Sequence, residues 1–229
     1  EAPLSVTSDK SFEGYRKFWP GPGSEMVALA NRSIDLLEDI HLEDPALLHM
    51  NRRGYVYASA TPQRADEFIT QAQESCGLGA GELRIHEGSA SGTCSYLPVS
   101  GHDLFDAPDG VDILLDRELI RRHFPHLAPD TALIMHTRRC GWFAARQFGM
   151  HMLERAKAAG VQVIRGRIVD VDIEGGRVAA ATVGRPDGET SIRTSAFVNA
   201  AGPGQKEVAA MLGVDLPVHS ELHMKVAID

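Results

Sequence analysis

Several things the sequence has little of narrow the field before any motif is read. No apolar run approaches the roughly 20 residues of a membrane-spanning helix, and the first residues do not read as a basic-then-apolar leader. Positive charge is in deficit: 23 Lys and Arg stand against 31 Asp and Glu, a formal net charge of −8. That balance argues against a nucleic-acid groove or an anionic membrane surface as partner. Cysteine is scarce, and Cys76, Cys94 and Cys140 are odd in number and widely spaced. They suit a reducing, cytoplasmic setting rather than a disulfide framework. Histidine is plentiful, but His123 with His126 and His219 with His223 lack Cys or carboxylate companions at a metal-ligand spacing, so no metal site is expected.

What is present is an ordinary soluble composition, 43% hydrophobic and 24% charged over 229 residues, enough to bury a substantial core in one or two domains. Glu1–Ser11 reads as loop. Ser24 stands as an N-cap before a helical stripe from Glu25 to Ile40. Tyr55–Ala58 reads as a strand, with Tyr55 and Tyr57 on one face. Thr61-Pro62 opens a second helix that Gly77 ends. Gly77-Leu78-Gly79-Ala80-Gly81 has the look of a nucleotide loop but follows a helix instead of a strand, so the bland reading is preferred. Residues 87–110 read as irregular. Asp116 caps a short helix to His123, Leu133–Met135 is a brief apolar strand, and Phe143–Ala159 is a helix stopped by Gly160.

Strand signals then follow in quick succession. Val161–Ile164 alternates weakly. Ile168–Ile173 and Val178–Val183 flank Gly175-Gly176, a two-residue hairpin turn. Pro186-Asp187-Gly188 turns the chain again toward Ile192. Thr194–Asn199 reads as a buried strand whose side chains then shrink abruptly through Ala200, Ala201, Gly202 and Gly204 before a helix from Gln205 to Leu212. Small side chains at a strand end let the backbone approach a flat or anionic ligand closely; a tight strand–helix turn in a plain α/β sheet is the competing reading. Leu222–Ile228 is one more strand signal.

This order of elements, ending in Val198-Asn199-Ala200-Ala201-Gly202-Pro203, resembles the D-amino-acid oxidase-like superfamily of FAD-dependent oxidoreductases. Thr7-Ser8-Asp9-Lys10-Ser11 with Tyr15-Arg16, Asn31-Arg32-Ser33 and Arg53-Gly54-Tyr55 match its pattern as well. The resemblance implies an α/β fold: part of an FAD-binding Rossmann-like domain with a β-meander, plus part of an antiparallel-sheet substrate domain. It partitions the chain as 1–50 (flavin loop and long helix), 51–136 (substrate part), 137–215 (helix, meander and turn) and 216–229 (a strand returning to the substrate part). It implies FAD as cofactor, with Thr7, Ser8, Lys10 and Ser11 along the flavin and pyrophosphate, Ile168 at the adenine, and Ala200, Ala201 and Gly202 beside the cofactor. The family's G-x-G-x-x-G unit does not precede Glu1 and its later part does not follow Asp229, so the chain reads as an internal segment, and one expected to bind FAD poorly by itself.

The activity implied is oxidation of a C–N bond in an amine or amino-acid-like substrate by hydride transfer to flavin. A substrate carboxylate wants a cation, and Arg16, Arg53 and Lys225 are the candidates, each with solvated surface charge as the alternative. Two rival readings stay open on the residues alone: a non-catalytic α/β binding module, and an enzyme holding another nucleotide at the 200–204 turn.

Overall fold

The computed structural model describes residues 13–88, 96–99 and 104–222, and the chain divides after Arg155 into two compact units. The first unit is organised by a four-stranded mixed sheet in the order β2–β5–β4–β3, built from β2 (Tyr55–Ser59), β3 (Leu83–His86), β4 (Val111–Leu114) and β5 (Leu133–Thr137). β5 pairs antiparallel with both β2 and β4, and β3 lies parallel to β4. One face is apolar. Val111, Ile113, Leu133 and Met135 pack there with Phe18 and with Phe68 and Ala72 of α3 (Ala65–Ser75). Each large side chain buried this way contributes about 1.5–3 kcal/mol. On the other face Leu114 and Ile134 meet Tyr96, Phe124 and Ile120 of α4 (Arg117–His123). The same face buries Asp112, His136 and His86.

A two-stranded ribbon joins β1 (Gly14–Arg16) to β6 (Cys140–Trp142), with Tyr15 opposite Gly141. Gly141 is required there, since a Cβ would stand 2.0 Å from the Asn51 carbonyl oxygen, the same atom that accepts the Tyr15 hydroxyl at 2.5 Å. Against this ribbon lies α1 (Glu25–Glu43), which buries Val27, Ile34 and Glu38. Ile34 joins Tyr15, Leu48 and Met50 in a further apolar cluster, Leu48 coming from the single turn α2 (Pro45–Leu48). α5 (Ala145–Ala158) runs across the division between the units.

The second unit holds an antiparallel meander, β7 (Arg167–Glu174), β8 (Arg177–Arg185) and β9 (Gly188–Arg193). Gly175 and Gly176 have φ of +58° and +76°, the two positive angles that a type I′ hairpin turn demands. β7 carries irregular register between Ile168 and Asp170. A 3₁₀ turn at Gly202–Gly204 leads into α6 (Gln205–Met211).

Several expectations change. Val161–Ile164 and Thr194–Asn199 are not strands, and Val198 is 85% exposed rather than buried. Among the described residues neither segment is the ladder partner of a strand; the Thr194 amide donates to the Ala179 carbonyl of β8 at 3.0 Å, and the pairing does not continue beyond it. Leu83–His86, which the sequence reading assigned to no element, forms β3, with Arg84 neutralised inside the fold by Asp112. The strand β4 directly follows the segment read as irregular. Ser24 and Thr61 begin their helices without a side-chain cap bond, whereas Asp116 accepts from the Glu118 and Leu119 amides. Gly77 does not end its helix; a wider turn continues through Cys76–Ala80, with Gly79 at φ +107°. The return strand expected at Leu222–Ile228 falls beyond the described residues except for Leu222, which is fully exposed.

Candidate functional site

The strand β1 delivers Arg16 to the edge of β2. Its Nη1 donates to the Tyr57 hydroxyl at 3.2 Å, and its guanidinium lies over the Trp19 ring, 4.1 Å from the centroid. The Trp19 indole N–H in turn donates to the Arg16 carbonyl at 3.2 Å. One aromatic residue thus holds both ends of the arginine, through a cation–π contact and a hydrogen bond. Arg52, Arg84, Arg138 and Arg139 are likewise withdrawn from solvent, and each pairs with a carboxylate. Arg16 meets none among the described residues. A partly buried guanidinium that meets no acid among the described residues has the donor geometry to bind an external carboxylate.

Tyr55 and Tyr57 share the face of β2 nearest Arg16. Tyr57 packs on Phe18 at 5.9 Å between ring centroids. Burial pushes the Tyr55 phenol up to about 12, with Cys140 raising it further against the pull of Arg16, so at neutral pH this phenol is uncharged. Cys140 is fully buried against the Thr137 hydroxyl at 3.2 Å, and burial raises its thiol too. Neither group is poised as a nucleophile.

Arg53, the second candidate cation, has an exposed side chain, and its carbonyl rather than its charge is engaged, with His136 Nε2 at 2.9 Å. Lys225, the third, lies outside the described residues, as do Thr7, Ser8, Lys10 and Ser11. In the second unit, Ile168 is half-buried on β7 opposite Val183. β7 is an edge strand, so half of its backbone N–H and C=O groups point away from β8. Ala200, Ala201 and Gly202 are exposed. The Asn199 side chain ties their arch together, donating to the Gln205 carbonyl at 2.7 Å and accepting from the Ala201 amide at 3.2 Å. Gly202 has φ +55°, and a Cβ built on it meets no atom within 4 Å. A pinned, small-sided arch of this kind fits a flat cofactor passing beside its backbone.

The sequence reading missed two features. Trp19, three residues beyond Arg16, was not singled out. Nor was the buried ion cluster behind the sheet, where Asp112 accepts from Arg84 Nε at 2.7 Å, Arg84 Nη2 at 3.1 Å, His86 Nε2 at 2.9 Å and Arg138 Nε at 2.9 Å. Burial alone would raise the Asp112 carboxyl, but these hydrogen bonds and the arginine charges outweigh it and hold the group below the usual carboxylate range. The readable signal was a charge inside an apolar run, Val111-Asp112-Ile113-Leu114, which a core tolerates only when the charge is paired.

Comparison with known proteins adds to this geometry. The sequence model of a family described as DAO, FAD dependent oxidoreductase, matches residues 4–226. No curated protein matches the chain. Among solved structures, L-amino acid deaminase from Proteus myxofaciens in complex with anthranilate is similar at TM-score 0.61 and 18% identity, over 91% of this chain and 40% of that one. L-proline dehydrogenase from P.horikoshii is similar at TM-score 0.58 and 14% identity, over 87% of this chain and 46% of that one. The chain thus spans less than half the length of either, and at these identities the likeness concerns the fold.

Proposed function

The chain belongs to the DAO family of FAD dependent oxidoreductases, and from that premise we propose that it serves the oxidation of a C–N bond in an amino-acid-like amine, with Arg16 taking the substrate carboxylate. FAD is the family's cofactor, and when bound it supplies the acceptor for the hydride leaving the substrate α-carbon. The observation that supports the substrate class is the guanidinium of Arg16, fixed by Trp19 and Tyr57 and meeting no carboxylate among the described residues.

In this reading Arg16 donates two parallel hydrogen bonds to the carboxylate and so fixes the α-carbon's position. Trp19 keeps the guanidinium from swinging out. Tyr55 and Tyr57 wall the site against water, the Tyr55 phenol staying neutral at physiological pH. The imine product hydrolyses to an oxo acid and ammonia. No nucleophile is required of the chain, in keeping with the buried, protonated state of Cys140. We assign residues 1–50 and 137–215 to the FAD-binding part, with Thr7, Ser8, Lys10, Ser11, Ile168, Ala200, Ala201 and Gly202 contacting the cofactor and Arg16 reaching from it to the substrate, and 51–136 with 216–229 to the substrate part. The second-unit arch at Asn199–Gly202 supports that assignment through its small, tied backbone.

The test is anaerobic titration of the full-length flavoprotein with a panel of amino acids and with the corresponding amines lacking the carboxylate. Loss of flavin absorbance at about 450 nm is expected with amino acids, with one ammonia released per flavin reduced. Equal reduction by the decarboxylated amines would overturn the assignment of Arg16 to the carboxylate.

A further inference from the structure

His136 sits on the opposite face of the sheet from Tyr55 and Tyr57, 1% exposed, and its surroundings fix its chemistry. Its Nε2 lies 2.9 Å from the Arg53 carbonyl, which only accepts, so this nitrogen bears the proton. Its Nδ1 lies 2.6 Å from Arg138 Nη1, which only donates, and 3.0 Å from the Tyr96 hydroxyl, so this nitrogen accepts. Arg138 is itself anchored by Asp112 at 2.9 Å and by the Leu97 carbonyl at 2.5 Å. The imidazole is therefore locked in one neutral tautomer, with its N–H aimed at a single peptide.

That peptide is the one from which β2 begins. The next residue, Gly54, has φ +83°, and a Cβ there would stand 2.2 Å from His136 Nε2 and 2.5 Å from the Thr137 carbonyl oxygen. Its amide donates to the Cys140 carbonyl at 2.8 Å. The Arg53–Gly54 peptide is thus gripped on one side by His136 and on the other by β6, immediately before the residues that line the Arg16 site.

We propose that His136 is a positioning residue for the Arg16 site: its Nε2–H fixes the Arg53 carbonyl, and with it the backbone from which Tyr55 and Tyr57 project toward Arg16. This inference rests on the reading that Arg16 takes the substrate carboxylate. The buried cluster behind the sheet acquires a task by it. Asp112 orients Arg138, Arg138 fixes the tautomer of His136, and His136 holds the strand that shapes the opposite face.

Two substitutions separate this role from simple packing. A glutamine can place its amide nitrogen where Nε2 stands and reach the Arg53 carbonyl; an asparagine places a polar atom near Nδ1 and cannot. In the full-length flavoprotein, benzoate is titrated against the flavin spectrum as the carboxylate probe, and amide hydrogen exchange is followed in the peptide covering 53–59. His136→Gln is expected to keep benzoate affinity within about threefold of wild type. His136→Asn is expected to weaken it about tenfold and to speed exchange at 53–59. Equal exchange and equal affinity in the two variants, whatever their melting temperatures, would overturn the proposal. Arg16→Gln is the control for the underlying reading. If it leaves benzoate affinity unchanged, the carboxylate assignment fails, and exchange at 53–59 still decides the role of His136.

Discussion

At the scale of single residues, the fold depends on a buried carboxylate ringed by donors. Asp112 uses its acceptor sites on Arg84, His86 and Arg138. Asp112→Asn should therefore destabilise the protein by about 3–5 kcal/mol, because it removes the buried counter-charge of Arg138 and leaves Arg84 with the exposed Glu82 in place of a buried carboxylate; urea unfolding measures it. Gly54→Ala forces a Cβ to 2.2 Å from His136 in a backbone at φ +83°, and should cost roughly 3 kcal/mol through strain and overpacking together. His136 gives a pH signature. Burial foremost, then the charge of Arg138, lowers its pKa from 6.5 to about 4, against the opposing Arg53 carbonyl and Asp112; Arg84 adds to the lowering. Between these values the unfolded chain binds a proton that the native chain refuses. The contribution is therefore complete above pH 6.5 and is lost as pH falls toward 4, by a sum on the order of 3 kcal/mol. Thermal melts at pH 7 and pH 5 should show a larger drop for the wild type than for His136→Gln.

At the scale of elements, what was legible depended on whether a signal is local. The Gly175-Gly176 hairpin, the helix after Ser24 and the Asp116 cap are written within a few residues, and each was readable. The ribbon of β1 and β6 was not, since each strand is three residues long and they pair across more than a hundred positions. Nor was β3, whose Leu-Arg-Ile-His pattern makes sense only once Asp112 lies beside it. The opposite error occurred at Thr194–Asn199, where β-propensity suggested burial that neighbouring strands must supply. Arg16 and the Tyr55–Tyr57 face were named from sequence, but the Trp19 clamp that distinguishes Arg16 from Arg53 is a tertiary fact. Among the local signals, the Asp116 cap is quantifiable: Asp116→Ala removes bonds to the Glu118 and Leu119 amides and should cost ~0.5–2 kcal/mol, seen as a lower denaturation midpoint with unchanged slope.

At the scale of the whole molecule, the family's cofactor is FAD, and the proposed carboxylate receptor is Arg16. On the cofactor side, Gly202→Ala meets no neighbouring atom, so in the polypeptide alone it should cost only the left-handed backbone, about 1 kcal/mol. If FAD passes beside Gly202, Gly202→Val should in addition weaken flavin binding in the full-length protein by about tenfold or more, read by ultrafiltration of bound flavin. On the substrate side the central claim is that Arg16 recognises the carboxylate, and stopped-flow flavin reduction tests it most directly. The full-length wild type, Arg16→Lys and Arg16→Gln are each mixed anaerobically with the best amino acid and with its decarboxylated amine. The account predicts that Arg16→Gln raises the amino-acid concentration for half-maximal reduction at least tenfold, that Arg16→Lys recovers part of the loss, and that the amine is indifferent to both substitutions. Amino-acid reduction unchanged in Arg16→Gln would contradict it.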